Sequence, residues 1–317
     1  MALKTDYKDY IPPSGGRKYK ITANSDGSSS VEDITQYQQV GDTWGAEDIN
    51  QVNKLVNGAV YPNLGTNTNF SNPINQRGAA SYTTATEAHM YCIDRWRILK
   101  NTTYTVASFT LTATSYAARA CGMRQSNEMG AHQLSIGDDV TVSIYANGKL
   151  HTPTMKVIDR DLYDAFANVP ASYDCDDFEI VLCTYAGDNT MYNLGIYPKK
   201  PLTVNYIKWE KGSVATPYVP KGYGAELTEC MRYYQSISID LSIHGTAVDA
   251  SYPDRLPFTY LQKMRIVPTA TLQKSWDSNV KSINCGYVSE TQLAIEIVQT
   301  AAGYAEYHGK VVLAADL

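Results

Sequence analysis

Ile237, Ile239, Leu241 and Ile243 alternate without a break against Ser236, Ser238, Asp240 and Ser242. A period of two sends the two sets to opposite faces of an extended chain, so this run specifies a strand with one face buried and the other in water. The alternation returns at Val140, Val142 and Ile144 against Thr141, Ser143 and Tyr145, and at Phe178, Ile180 and Leu182 against Glu179, Val181 and Cys183. Asn147-Gly148 closes the first of these two runs with a dipeptide suited to a two-residue hairpin, because both positions tolerate positive φ. Thr105 to Ala113, Leu202 to Lys208, the trio Leu293, Ile295 and Ile297, and the pair Val311 and Leu313 continue the theme. Short strands separated by turn residues, with few helical runs, predict an all-β chain of antiparallel sandwiches.

Two segments carry helical spacing instead. Ala46, Ile49, Val52 and Val56, with Leu55 alongside, recur one turn apart before Gly58 supplies a stop. A helix this short is marginal alone, so Ile49, Val52, Leu55 and Val56 are expected to pack on a neighbour, such as copies of the chain around a threefold axis. Leu227, Cys230, Met231 and Tyr234 form a second short pattern between two β regions, which marks a domain boundary. Before all this, Pro12-Pro13 and Gly15-Gly16 interrupt a polar stretch in which Lys18 to Ala23 and Ser30 to Thr35 are weak strands around the loop Asn24-Ser25-Asp26-Gly27-Ser28. The expected organisation is an arm with a short helix over 1–60, a sandwich over 61–222 and a smaller β domain over 223–317. No internal repeat and no low-complexity tract interrupts it.

Charge and composition exclude several functions. With 27 basic against 32 acidic side chains the formal net charge is −5, and nothing resembles the clustered Lys and Arg that a phosphate backbone requires. Nucleic acid is not an expected partner. No run approaches the ~18 apolar residues of a membrane span, and residues 1–16 lack the apolar centre of a signal peptide, so synthesis in the cytoplasm without membrane insertion is expected. Cys92, Cys121, Cys175, Cys183, Cys230 and Cys285 show no Cys-x-x-Cys spacing, which predicts free thiols. Five scattered His residues offer no zinc-helix spacing. The cluster Asp159, Asp161 and Asp164 fails as a calcium loop, with Asp164 in place of the tight-turn Gly and Pro170 in place of the bidentate Glu. No cofactor is expected, and calcium in a sandwich loop stays open.

The paired carboxylates Asp138-Asp139 and Asp176-Asp177 do not make a glycosidase pair, since strand neighbours point to opposite faces. Nucleophile elbows, phosphate loops and dinucleotide fingerprints are missing as well. A non-enzymatic protein is the expectation. The 25 Tyr against 5 Phe and 4 Trp supply flat apolar faces with a polar tip, a composition suited to a recognition surface.

Three patches, in order along the chain, carry a family resemblance. The first is Met1-Ala2-Leu3-Lys4-Thr5-Asp6-Tyr7-Lys8-Asp9 with Asn24-Ser25-Asp26-Gly27 and Val40-Gly41-Asp42-Thr43-Trp44-Gly45-Ala46-Glu47-Asp48-Ile49-Asn50. The second is Asn69-Phe70-Ser71-Asn72-Pro73-Ile74-Asn75-Gln76-Arg77-Gly78, followed by Tyr82-Thr83 and Ile93-Asp94-Arg95-Trp96. The third is Trp209-Glu210-Lys211-Gly212-Ser213-Val214-Ala215-Thr216-Pro217-Tyr218-Val219-Pro220 with Gly224-Ala225-Glu226-Leu227 and Cys230-Met231-Arg232-Tyr233-Tyr234. Together they resemble tailed-bacteriophage fibre proteins, receptor-binding virion structural proteins with an N-terminal virion-attachment segment and a carbohydrate-binding-type jelly roll; beyond residue 235 the likeness is loose. The resemblance implies a homotrimeric fibre, for instance a tail fibre, that resides on the virion, is released by lysis, meets other virion proteins of tail, baseplate or capsid through its N-terminal segment, and adheres to host cell-surface polysaccharide. A capsid-attached head fibre, a structural spacer and a polysaccharide depolymerase are the alternatives.

Aromatic residues are the natural candidates for stacking on a sugar. Trp96 and Trp209 serve either as such platforms or as sandwich core, because both lie in the patches where the fold closes. Loops on a rigid scaffold carry binding, which singles out Tyr185, Asp188 and Asn189 with nearby Tyr192 in the jelly roll. Trp276, between Ser275 and Asp277, is the corresponding loop aromatic of the C-terminal domain, expected to lie farthest from the attachment segment and so to meet the cell first.

Overall fold

A computed structural model describes residues 11, 13–38, 49, 52, 62–84, 89–116, 119–245 and 253–315. The chain divides into two compact units, Met1–Tyr61 and Pro62–Leu317. In the first, β1 (Tyr19–Ala23) and β2 (Ser29–Asp33) pair as an antiparallel hairpin. The Asp26 carboxylate takes hydrogen bonds from the Ser28 amide (2.9 Å) and hydroxyl (2.6 Å), and Gly27 sits at φ 82°. All ten strand residues are exposed, so the hairpin buries nothing of its own. Ile49 and Val52 have helical backbone, the first exposed and the second half-buried. Leu55 and Val56 lie outside the described residues.

The second unit opens with a jelly-roll sandwich of two antiparallel sheets. One runs in the order β10 (Lys149–His151), β9 (Asp139–Ala146), β15 (Leu202–Lys211), β7 (Thr110–Ala113), β6 (Thr102–Thr105) and β3 (Ser81–Thr84), with β11 (Thr154–Lys156) also on β9. The other runs β12 (Tyr173–Asp174), β13 (Phe178–Tyr185), β14 (Asp188–Pro198), β8 (Met123–Glu128), β5 (Arg97–Leu99) and β4 (His89–Tyr91). The chain crosses between the sheets six times, from β3 to β4, β5 to β6, β7 to β8, β8 to β9, β11 to β12 and β14 to β15. The expected single strand over Thr105 to Ala113 is instead a tight hairpin: β6 ends at Thr105, the chain turns through Phe109 at φ 45°, and Thr110 pairs back with Thr105. A serine-and-threonine-rich stretch cannot show that reversal by alternation alone.

Between the sheets Phe70, Trp96 and Trp209 form an aromatic column, with centroids 5.1 and 6.2 Å apart and the two indoles edge to face. Each buried indole N–H finds an acceptor, Trp96 on the Asn67 carbonyl (2.8 Å) and Trp209 on the Tyr192 hydroxyl (2.9 Å). Both tryptophans are therefore core. On β13 the polar-side positions Val181 and Cys183 are also buried, because residues 158–169 fold over that face and pack Val169 against Leu99 and Tyr197. On the opposite sheet, Lys208 and Glu210 face each other at 3.1 Å, and Glu210 accepts from the Thr216 amide (2.8 Å) and hydroxyl (2.5 Å). This clasp pins the tract after β15 against the sheet, and Tyr218 stacks on Tyr206 at 4.2 Å.

Two helices are described beyond position 52: the single turn α1 (Met129–His132) and α2 (Tyr223–Met231). Glu226 of α2 is buried and accepts the backbone N–H of Asn67, which joins α2 to the sandwich. Arg95 lies 3.5 Å from the centroid of the Tyr233 ring and Arg77 3.8 Å from that of Tyr234. The chain then builds a smaller β structure of two three-stranded sheets. β16 (Tyr234–Gly245), β21 (Gly303–Ala314) and β18 (Thr269–Ser278) make one, while β17 (Asp254–Thr259), β20 (Gln292–Gln299) and β19 (Val280–Gly286) make the other. Leu293, Ile295, Ile297, Val311 and Leu313 are buried between them with Ile239, whereas Ile237, Leu241 and Ile243 of the same alternation are half-buried.

Candidate functional site

The outer face of the sheet containing β13, β14, β8 and β5 carries the most unusual side-chain arrangement in the sandwich. Arg97 on β5 lies directly opposite Arg124 on β8, and like charges in that position destabilise a sheet. Arg97 donates to the Ser126 hydroxyl, which in turn donates to the Asn193 amide oxygen at 2.6 Å. Arg124 bonds Tyr197, whose ring lies over Gly195, the cross-strand partner of Arg124. A Cβ on Gly195 would stand 2.4 Å from the Tyr197 oxygen, so the bare Cα makes this close approach possible. Burial holds the Arg124 guanidinium below its ordinary pKa.

Residues 158–169 form a wall beside this face. The Asp159 carboxylate caps the short turn Arg160–Leu162 by accepting the Asp161 amide (3.0 Å), and the Arg160 amide donates to the Thr184 hydroxyl (2.9 Å). Asp161 accepts the Gly187 amide (2.9 Å), tying the wall to the Tyr185–Asp188 hairpin turn. Arg119 closes the other end: it pairs with Glu179 at 2.8 Å and donates to the carbonyls of Val169 (2.5 Å) and Phe166 (3.3 Å). Its backbone sits at φ 58°, an unusual conformation for a residue with a Cβ.

Between face and wall lies a cleft of about 570 Å³, within the roughly 300–1,000 Å³ of small-ligand sites. Lys100, Arg119, Arg124 and Arg160 line it together with the Phe166 and Tyr185 rings, and its lining contains no carboxylate. Among the described residues neither Lys100 nor Arg160 is ion-paired, though Arg160 donates to the Tyr163 carbonyl. Cys183 lies in the cleft lining; burial pushes its thiol up to about 11, opposed by Arg160, Arg124 and Arg119 in that order. All three arginines border the same cleft, and the thiol stays protonated at neutral pH. Tyr185 also borders a second cavity of about 620 Å³, which Asp188, Thr190, Glu128 and Arg265 line.

The residues expected to bind ligand are distributed unevenly around these cavities. Tyr185 is 39% exposed and stands between the two. Asp188 borders the second and accepts the Thr190 amide (2.8 Å) and hydroxyl (2.5 Å), while Asn189 is exposed and lines neither. Tyr192 must be corrected. It is fully buried on the inner face of β14, bonded to Trp209 and to His132 Nδ1 (2.6 Å), and has no surface to offer a ligand. The expected loop around Trp276 is also corrected: Trp276 lies within β18, at a register shift, 49% exposed and 5.1 Å from the His308 ring. His308 in turn bonds Asp240 at 2.7 Å.

The cationic lining has no contiguous sequence signature, because its members come from the end of β5, the segment before β8, β8 itself and the wall. One local sign existed. From Arg95 to Asn127 the chain carries Arg95, Arg97, Lys100, Arg119 and Arg124 without a single Asp or Glu. Of the adjacent carboxylates, Asp138 pairs with Lys211 (2.8 Å), Asp139 with Lys156 (2.8 Å) and Asp177 with Lys200 (2.5 Å) at the surface. Among the described residues no group of three His, Cys, Asp or Glu side chains could hold a metal ion, and no helix is long and apolar enough to cross a membrane. All six cysteines are free thiols. No family model, curated protein or solved structure matches the chain.

Proposed function

We propose that the chain is a fibre subunit of a tailed phage that holds host-surface glycan without cleaving it. The observation that carries this reading is the cleft on the outer sheet face, where Tyr185 and Phe166 offer ring faces and Asn101 and Asn193 offer amides. A sugar presents C–H groups to an aromatic face and hydroxyls to amides, so this lining is suited to hold one. Hydrolysis of a glycosidic bond needs two carboxylates across the substrate; the lining supplies cations in their place, which favours adhesion over depolymerisation. The resemblance of the three sequence patches to phage fibres supplies the biological setting: a homotrimer on the virion, with other virion proteins as partners of the N-terminal segment. The exposed Tyr19, Ile21 and Val31 of the first hairpin are consistent with such a partner, since an isolated two-stranded hairpin is marginally stable in water.

The reading is tested on particles of the phage that encodes the chain. Immunogold labelling with an antibody against the chain is expected to decorate a fibre, and purified protein bound to host cells is expected to block adsorption. Unlabelled particles would remove the virion assignment. Labelled particles whose adsorption the protein leaves unchanged would leave a structural spacer, and release of reducing ends from host polymer would identify a depolymerase.

A further inference from the structure

Four cations converging on one cleft is the opposite of what a chain of net charge −5 provides on average. Lys100 is exposed and the three arginines are half-buried, so their mutual repulsion is only partly screened by water, and it is met neither by carboxylates in the lining nor, for Lys100 and Arg160, by ion pairs among the described residues. Arg97 and Arg124 add a like-charged cross-strand pair at the edge of the same face. Arg119 holds an unusual positive φ while its guanidinium fastens the wall. Backbone strain and charge concentration of this kind collect at ligand sites, where the ligand supplies the missing compensation.

Resting on the reading of the cleft as a glycan site, we infer that its ligand is an anionic saccharide, whose carboxylate or phosphate group is held by Lys100, Arg124 and Arg160 while its ring lies against Tyr185 or Phe166. The guanidinium fork matches either oxyanion group in two parallel hydrogen bonds, and Lys100 adds a mobile point charge at the exposed rim. Arg119 is a positioning residue, because its Nε and Nη1 are committed to Glu179 and to the carbonyls of Phe166 and Val169, whereas Arg160 gives only Nη1 to the Tyr163 carbonyl and Arg124 bonds Tyr197 on its own sheet face. Partial burial of Arg124 and Arg160 strengthens their contacts relative to water.

The test titrates the full-length protein calorimetrically with four probes: oligogalacturonate, its carboxyl-reduced neutral counterpart, glucose 6-phosphate and glucose. Binding of oligogalacturonate over its reduced form, or of glucose 6-phosphate over glucose, is the expected result and tells a carboxylate source from a phosphate one. The affinity should fall as salt rises, and Lys100→Gln and Arg124→Gln should each weaken the acid about tenfold, the loss of a charge-assisted contact. Lys100 is exposed, so that variant should melt like the wild type and report on binding alone. Neutral probes binding as tightly as acidic ones would overturn the charge assignment while leaving a glycan site in place. Silence of both acids, or acid binding untouched by both substitutions, would overturn the proposal outright. Adsorption blocking is scored separately, so failure of the broader reading is seen in its own right.

Discussion

Gly195 shows how one missing side chain organises the cleft. Tyr197 rests on its Cα and Arg124 is held by Tyr197, so Gly195→Ala drives a methyl into a buried ring that has nowhere to swing. The expected cost is that of overpacking, about 1–3 kcal/mol, read as a lowered urea midpoint at unchanged slope; an unshifted midpoint would mean that the ring moves freely. His132 makes a second residue-level prediction. The Tyr192 hydroxyl accepts from Trp209, so its own proton points at His132 Nδ1 and the imidazole is neutral with its hydrogen on Nε2. Burial, then Arg95 and Lys221, hold its pKa down to about 4. The unfolded chain, with an ordinary His pKa of about 6.5, binds this proton more readily than the folded one. His132 therefore contributes stability that is fully present above about pH 6.5 and drains away as pH falls towards 4. The stability difference between wild type and His132→Gln should shrink over that interval in pH-resolved urea titrations, and a constant difference would refute the assignment.

Strand β15 and the tract behind it illustrate what an element needs beyond its own pattern. Lys208 and Glu210 are nearly solvent-free, a position that alternating polarity would assign to water. The tract from Gly212 to Thr216 doubles back and buries them, with Thr216 completing the carboxylate's hydrogen bonds. Glu210→Ala should cost about 3–5 kcal/mol, because it strands a buried ammonium. Lys208→Met combined with Glu210→Leu should cost markedly less, since both charges leave together. Urea denaturation of the single and double variants compares the two, and equal losses would show that the pair is not acting as a unit. Strand β13 follows the same logic on the other sheet, where Val181 and Cys183 occupy the solvent side of an alternating run yet lie beneath residues 158–169.

For the whole molecule, assembly and adhesion can be tested independently. The exposed apolar side chains of the first hairpin, with Ile49 and Val52 on helical backbone, motivate a trimer. Sedimentation at micromolar concentration should show one, and Ile49→Asp with Val52→Asp should weaken it while leaving the β-sheet circular dichroism intact; a stable wild-type monomer contradicts the assembly. Trp276 is exposed, so Trp276→Ala should change the melting temperature little. If the C-terminal β structure adheres to cells, that variant should reduce whole-particle adsorption far more than monovalent binding, because three weak contacts act together. Adsorption lost with Lys100→Gln and retained with Trp276→Ala would place the receptor site in the sandwich cleft.

The period-two alternations at 140–144, 178–183, 236–243 and 293–297 were sufficient to place strands and to identify an all-β architecture, because side-chain direction along an extended chain depends only on local geometry. Asn147-Gly148 was readable for the same reason, and both residues adopt the positive φ that the dipeptide favours. The two-sided burial of β13 and β15, the core role of Tyr192 and the strand position of Trp276 were not readable, since each depends on segments remote in sequence that cover, or fail to cover, a face. The cleft belongs to that second class. Lys100, Arg119, Arg124 and Arg160 are separate cations along the chain, and only the packing of residues 158–169 against the outer sheet face brings them to the lining of one cleft.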